Sequence, residues 1–226
     1  MLRKQNVLAR AFVFLILTAT LSSCSKDLIY FPKSIQEEVD KTLDNGYDGI
    51  IVCVNQNGQS KLYTSGWNNR EDQIPADPHL LFKIASISKL YIAAATVKLI
   101  QDEQLSLNQT LAELITEVAD KIEYADEITL EMMLQHRSGI PEFIYDPEFV
   151  NSDPKENYLE TANLIFNNDA DFKPGKKYRY SNTNYLLIGE ILDRTLGYSH
   201  HDYIKAEILQ PLHLAVQNFP DLSFSI

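Results

Sequence analysis

Cysteine, glycine and positive charge are all scarce in this sequence of 226 residues. Two cysteines permit one disulfide at most, which excludes a disulfide-stapled scaffold. Lysine and arginine total 20 against 31 aspartates and glutamates, a formal net charge of −11. That balance argues against a nucleic-acid binder, whose partner's phosphates call for a basic surface. The apolar run from Ala11 to Leu21 is too short for a membrane-spanning helix. Glycine occurs eight times, for the last time at Gly197, and residues 198–226 hold none. What is present is ordinary globular material: 45% hydrophobic and 23% charged residues, in a chain long enough for one domain with a real core.

The amino terminus reads as a targeting segment. Arg3, Lys4 and Arg10 form a basic n-region ahead of the Ala11–Leu21 apolar stretch. Leu21-Ser22-Ser23-Cys24 resembles the bacterial lipobox, in which the cysteine is lipidated and becomes the first mature residue. Residues 1–23 are therefore expected to be a lipoprotein signal peptide, 24–33 an anchor and tether, and 34–226 the folded part. A diacylglycerol plus an N-acyl chain on Cys24 would satisfy the two-signal requirement for stable anchoring. The expected location is the bacterial cell envelope, with Ser25 pointing to outer-membrane sorting. Cys53 would then be the sole remaining thiol. It lies in Ile50-Ile51-Val52-Cys53-Val54, which reads as a buried strand, so an inert core residue is expected there.

Ser34-Ile35-Gln36-Glu37 is a capping-box pattern that opens a helix ending near Asn45-Gly46. Residues 50–55 and 61–66 flank Asn57-Gly58, a strong hairpin signal. A polar loop with Pro75 and Pro78 leads into a long helix ending around residues 102–104 and carrying Ser86 and Lys89. Further helices are expected from a cap at Thr129 through Gln135, stopped by Gly139 and Pro141, over 157–167, over 182–196 with Gly197 at its end, and over 203–209. The fold class is α+β: a helix and hairpin, then a mainly helical region.

Lys89 interrupts an apolar helical run one turn after Ser86, where it must snorkel out or find a buried polar partner. Residues three apart share a helical face, so hydroxyl and amine can meet, and a serine beside a desolvated lysine is one form of activated nucleophile. Ser-x-x-Lys alone is weak, since it occurs three times, at Ser23, Ser86 and Ser152. Only the middle copy combines a helix with an apolar setting, and even there a snorkelling lysine is an equal reading. Tyr180-Ser181-Asn182 occurs once, immediately before a helix. A tyrosine beside a serine can relay protons when neighbouring cations favour its phenolate, and an asparagine amide can donate to a substrate carbonyl. A buried aromatic followed by a capping residue is the structural alternative.

These segments together resemble one family. Phe82-Lys83-Ile84-Ala85-Ser86-Ile87-Ser88-Lys89 is similar to the active-site segment of the serine β-lactamase-related proteins, which include class C β-lactamases, D-alanyl-D-alanine carboxypeptidases and esterases. Leu134 to Pro141 is similar to their Leu-x-His-x-Ser-Gly-hydrophobic-Pro turn, and Pro174-Gly175 followed by Tyr180-Ser181-Asn182 to their second motif. Residues 187–191 and 208–212 continue the likeness in order. The resemblance implies a β-lactamase/penicillin-binding-protein-like fold with Ser86 as nucleophile, Lys89 as its activator and Tyr180 as general base or relay. It implies Asn182 as a substrate-amide ligand and an acyl-Ser86 intermediate on peptide, β-lactam or ester substrates. His136 is then a structural residue of its turn. Neither a metal nor another cofactor is implied; His200, His201 and His213 lack a ligand-like pattern.

The family's third motif, Lys-Thr/Ser-Gly or His-x-Gly, has no counterpart after Tyr180, because it requires a glycine and Gly197 is the last. The expectation is a domain cut short before its remaining strands and final helix, with weak or absent catalysis as this polypeptide. The alternative expectation is a non-catalytic envelope lipoprotein that binds peptidoglycan-like peptides.

Overall fold

The computed structural model describes residues 33–80, 83–151, 155 and 157–214. The expected signal peptide, Cys24 and nearly all of the tether lie outside the described residues, as do Phe82, Ser152 and the last residues from 215 on. The chain divides into two compact units, residues 1–82 and 83–226, each with its own internal packing.

The first unit is a helix on a small antiparallel sheet. Helix α1 (Ile35–Thr42) begins as its sequence dictates: Ser34 Oγ accepts from the Glu37 backbone N–H at 3.1 Å, while the Glu37 carboxylate accepts from Lys33 N–H at 2.8 Å. Gly46, at φ +90°, ends the following turn. Strand β1 (Gly49–Gln56) pairs with β2 (Gln59–Asn69) in a register closed by Gln56 opposite Gln59. The two residues between, Asn57 and Gly58, both take positive φ, which matches the right-handed strand twist. A two-residue strand β3 (Ile74–Pro75) adds to β2 where the sequence suggested only a loop.

Helix α1 lies against β2, with Val39 buried and Gln36 Nε2 donating to Thr64 O at 3.0 Å. The expectation of a fully buried strand at 50–54 is corrected here. Ile50, Val52 and Val54 are half-buried, but Ile51 and Cys53 are exposed. Side chains alternate across a strand, and one helix covers one face, so a continuous apolar run still leaves half its members outside.

The second unit is helical and is organised around one central helix. After a polar stretch come α2 (Ser88–Gln101), α3 (Leu111–Leu114), α4 (Leu130–Leu134), α5 (Pro147–Asn151), α6 (Tyr158–Ala162), α7 (Asn182–Leu196) and α8 (His200–Ile204). Helix α7 has the expected bounds, with Gly197 at φ +74° as its left-handed stop. Its residues 182–189, 191 and 192 are all buried, which is the behaviour of a helix enclosed on every side. Ala95 and Leu99 of α2, Leu111, Leu130, Met133, Phe143, Ala162, Tyr203 and Ile204 belong to the same core.

Helix α4 is capped by Thr129 as expected, but its stop is not Gly139. His136 takes φ +55° just past the C-cap Gln135, so the helix closes at Leu134, within one residue of the expected end and before the chain reaches Gly139. Gly139 serves a different purpose. It sits at φ +85°, and a Cβ there would run into the carbonyl of Phe172, so it lets the 136–142 turn approach residues 171–175 closely. Asp171 N–H donates to Gly139 O at 2.9 Å, Gly175 N–H to Arg137 O at 2.9 Å and Arg179 N–H to His136 O at 3.0 Å. These bonds deliver residues 178–182 to the turn.

Candidate active site

Ser86 does not lie within the long helix. Ala85 takes φ +45°, and residues 85–87 form one tight 3₁₀ turn before α2 begins at Ser88. A left-handed alanine costs about 1 kcal/mol, and it sets the serine at the mouth of the helix rather than in its flank. Ser86 is exposed, whereas Lys89 is only 6% exposed.

Lys89 Nζ donates to Ser86 Oγ at 3.2 Å. Ser86 Oγ lies 2.9 Å from Tyr180 Oη, across 94 residues of sequence. The ammonium also faces the rings of Tyr180 and Tyr185, 5.4 and 5.8 Å from their centroids. A cation enclosed this way gains from the negative faces of the rings. The partner for a buried lysine that the sequence called for is thus a hydroxyl and two aromatic faces.

Tyr180 lies two residues before α7, outside any regular element, and is exposed. Its orientation comes from His136, whose ring lies 4.5 Å away and tilted by 33°, with Tyr185 at 5.2 Å on the same imidazole. His136 Nδ1 accepts from the Ser181 backbone N–H at 3.3 Å, which assigns the ring proton to Nε2. Burial, and then the nearby Lys89 charge, holds the imidazole below its usual pKa, so it is neutral at pH 7. His136 therefore fixes the turn and carries the rings, as expected of it. Burial, and then Tyr180, raises the Tyr185 phenol, whose hydroxyl donates to Leu134 O at 3.3 Å.

Asn182 is buried, and its surroundings differ from a free substrate ligand. Tyr180 Oη donates to Asn182 Oδ1 at 3.3 Å. On the other side, Asn182 Nδ2 donates to Glu142 Oε2 at 2.9 Å, and the Asn182 backbone N–H donates to the same oxygen at 2.6 Å. One amide hydrogen is thereby engaged inside the protein, and the second is left for another acceptor. Glu142 was not singled out by the sequence, although it directly follows the Leu134–Pro141 turn. Behind this front, Ser138 Oγ donates to Asn184 Oδ1 at 2.6 Å in the interior, and Thr183 Oγ1 donates to the half-buried Pro141 O at 2.6 Å.

The four expected residues Ser86, Lys89, Tyr180 and Asn182 therefore form one continuous hydrogen-bonded chain. Such a chain can hold a serine hydroxyl between a lysine and a phenol and move its proton between them. Among the described residues, no group of three or more His, Cys, Asp or Glu side chains is placed to hold a metal ion. His200, buried at 1% exposure, donates through Nδ1 to the Asp193 carboxylate at 2.7 Å, and its backbone N–H donates to the same oxygen.

The chain is similar in sequence and fold to several known proteins. Protein flp of Staphylococcus aureus is 27% identical over 197 residues, covering 84% of this chain and 39% of that protein. D-amino acid amidase from Ochrobactrum anthropi SV3 superposes with a TM-score of 0.71 at 27% identity, over 79% of this chain and 49% of the amidase. The octameric penicillin-binding protein homologue from Pyrococcus abyssi gives 0.72 at 28% identity, over 81% and 43% respectively. The chain thus spans half or less of the length of these relatives. The β-lactamase family model matches residues 33–221. By that match and by its fold, this chain belongs to the β-lactamase family.

Proposed function

We propose that this chain carries the nucleophile and proton-transfer groups of a serine hydrolase that works through an acyl-Ser86 intermediate. The observation that supports it most is Ser86 Oγ, held 3.2 Å from Lys89 Nζ and 2.9 Å from Tyr180 Oη. In acylation, Ser86 Oγ bonds to the substrate carbonyl carbon and passes its proton to the Lys89–Tyr180 pair, which must enter the step one proton short, as phenolate or as free amine. The pair returns that proton to the leaving amine or alkoxide as the acyl bond breaks. Water then attacks the acyl-serine, giving up one proton by the same route and releasing the acid. The substrate class is a peptide, amide, β-lactam or ester, in keeping with the amidase and penicillin-binding neighbours. The second Asn182 amide hydrogen is the group offered to the substrate.

The protein is further proposed to be a lipoprotein of the cell envelope, attached through Cys24. That part rests on the n-region, the apolar stretch and Leu21-Ser22-Ser23-Cys24. Replacing Cys24 with alanine should move the protein out of the membrane fraction, and unchanged membrane association would contradict it.

The hydrolase proposal is tested on the purified chain with a fluorophosphonate or a penicillin, by intact mass. A reactive probe reads the first chemical step and does not depend on turnover. One adduct per chain is expected, and none in Ser86→Ala. No adduct, or one that survives Ser86→Ala, would contradict the proposal.

A further inference from the structure

We infer that Glu142 is a positioning residue that sets the direction of every hydrogen bond between Asn182 and Ser86. This deepens the hydrolase reading above and rests on it for its functional meaning. A side-chain amide can face either way, and a resolved outline does not distinguish its oxygen from its nitrogen. What distinguishes them here is the carboxylate. A carboxylate oxygen only accepts, and Glu142 Oε2 already receives the Asn182 backbone N–H at 2.6 Å. The amide group next to it must therefore present hydrogens, and Nδ2 does so at 2.9 Å.

With Nδ2 turned to Glu142, Oδ1 faces Tyr180, and it can only accept. The one phenolic hydrogen of Tyr180 is thus committed to Asn182, at 3.3 Å. Tyr180 Oη is left with lone pairs for Ser86, so at the 2.9 Å contact the serine is the donor. Ser86 Oγ in turn has a lone pair for Lys89, at 3.2 Å. Each of these groups then has one role and no conflict. The serine hydrogen is thereby turned toward Tyr180 Oη, and Lys89 Nζ is left as a donor to Ser86 Oγ.

The carboxylate is itself held. Glu142 Oε1 accepts from Ile144 N–H at 3.3 Å, as the cap of the 3₁₀ turn Phe143–Tyr145. Each carboxylate oxygen thus has its own donors, and the Asn182 amide cannot flip without turning Oδ1 toward Glu142 Oε2, two acceptors facing each other. The sequence separation of 40 residues between Glu142 and Asn182 explains why no local pattern reveals the link.

Glutamine separates orientation from charge. In Glu142→Gln, the amide oxygen can stay toward Asn182 and lose only the Ile144 bond, so Asn182 keeps its direction. In Glu142→Ala, nothing holds it. The rate of Ser86 labelling by a fluorophosphonate should fall about 10- to 100-fold in Glu142→Ala, the loss expected for a charge-assisted hydrogen bond. Glu142→Gln should recover most of that loss. Asn182→Ala should fall by a similar factor, and the double variant no further, since Glu142 acts through Asn182. Multiplying effects in the double variant, or a Glu142→Gln as slow as Glu142→Ala, would overturn the inference.

A second readout does not need labelling or a substitution. In the unsubstituted chain, nuclear magnetic resonance should show the Asn182 side-chain nitrogen coupled through a hydrogen bond to the Glu142 carboxyl carbon. Its bonded hydrogen should exchange more slowly than those of exposed asparagines. If labelling fails but this coupling is present, the hydrolase reading falls and the positioning stands. If a control coupling is seen and this one is not, the positioning falls on its own.

Discussion

Replacing Lys89 with methionine should make the protein more stable while removing its reactivity. The side chain is 6% exposed, and none of the ion pairs among the described residues includes it. Its partners are Ser86 Oγ and the faces of Tyr180 and Tyr185. The effective penalty for burying an ammonium is several kcal/mol. Against it stand one charge-assisted hydrogen bond, about 1.5–3 kcal/mol, and ring contacts of about 0.5–1 kcal/mol each. Methionine fills a similar volume, adapts to the gap and carries no charge. The balance favours the variant by about 1–2 kcal/mol, within the range seen when buried charges are replaced by apolar groups. For a chain of this size that is a rise in Tm of roughly 2–8 °C. Calorimetry on both proteins, with fluorophosphonate labelling in parallel, is the assay. Labelling should drop by at least about 100-fold, the lower end of what a positioned acid–base group supplies. A Tm lowered by several degrees would refute the reasoning, because it would mean that Lys89 holds the fold together rather than being held by it.

Other outcomes follow from the same contacts. His136 and His201 both have pKa values lowered by burial, so the folded state binds fewer protons than the unfolded chain below about pH 6.5. Their contribution to stability is full above that pH and is lost as pH falls toward their folded values; His136→Asn should flatten the Tm profile between pH 7.5 and 5. Ser138→Ala leaves buried Asn184 Oδ1 and Ile140 N–H without their partner, and should cost about 2–3 kcal/mol by chemical denaturation. Gly139→Ala should destabilise by a comparable amount, since it combines a left-handed backbone with a collision at Phe172.

The parts of the fold that the sequence made legible are those written in local chemistry. Ser34, Asn57-Gly58, Thr129 and Gly197 are each enough to place an end or a turn, because caps and hairpin turns are decided within a few residues. The central α7 was readable at both ends for the same reason. Burial of the strand at 50–54 was not, since an apolar run does not say which of its faces another element covers. The meeting of Ser86 with Tyr180 was legible through family motifs and not through periodicity. The left-handed backbone at Ala85 and at His136 has no compositional marker, because both residues are ordinary helix members elsewhere. Glu142 was invisible as a site residue for a further reason. An acidic residue after a proline in a loop is unremarkable until the turn at 136–142 is tied to residues 171–184.

The central claim is that Lys89 and Tyr180 together activate Ser86, and the rate of Ser86 labelling in Tyr180→Phe tests it most directly. Phenylalanine keeps the ring between His136 and the Lys89 cation and removes only the hydroxyl that meets Ser86 at 2.9 Å. The account predicts labelling slowed by about 100-fold or more with an unchanged fold. A Tyr180→Phe protein that labels at the rate of the unsubstituted chain would contradict it.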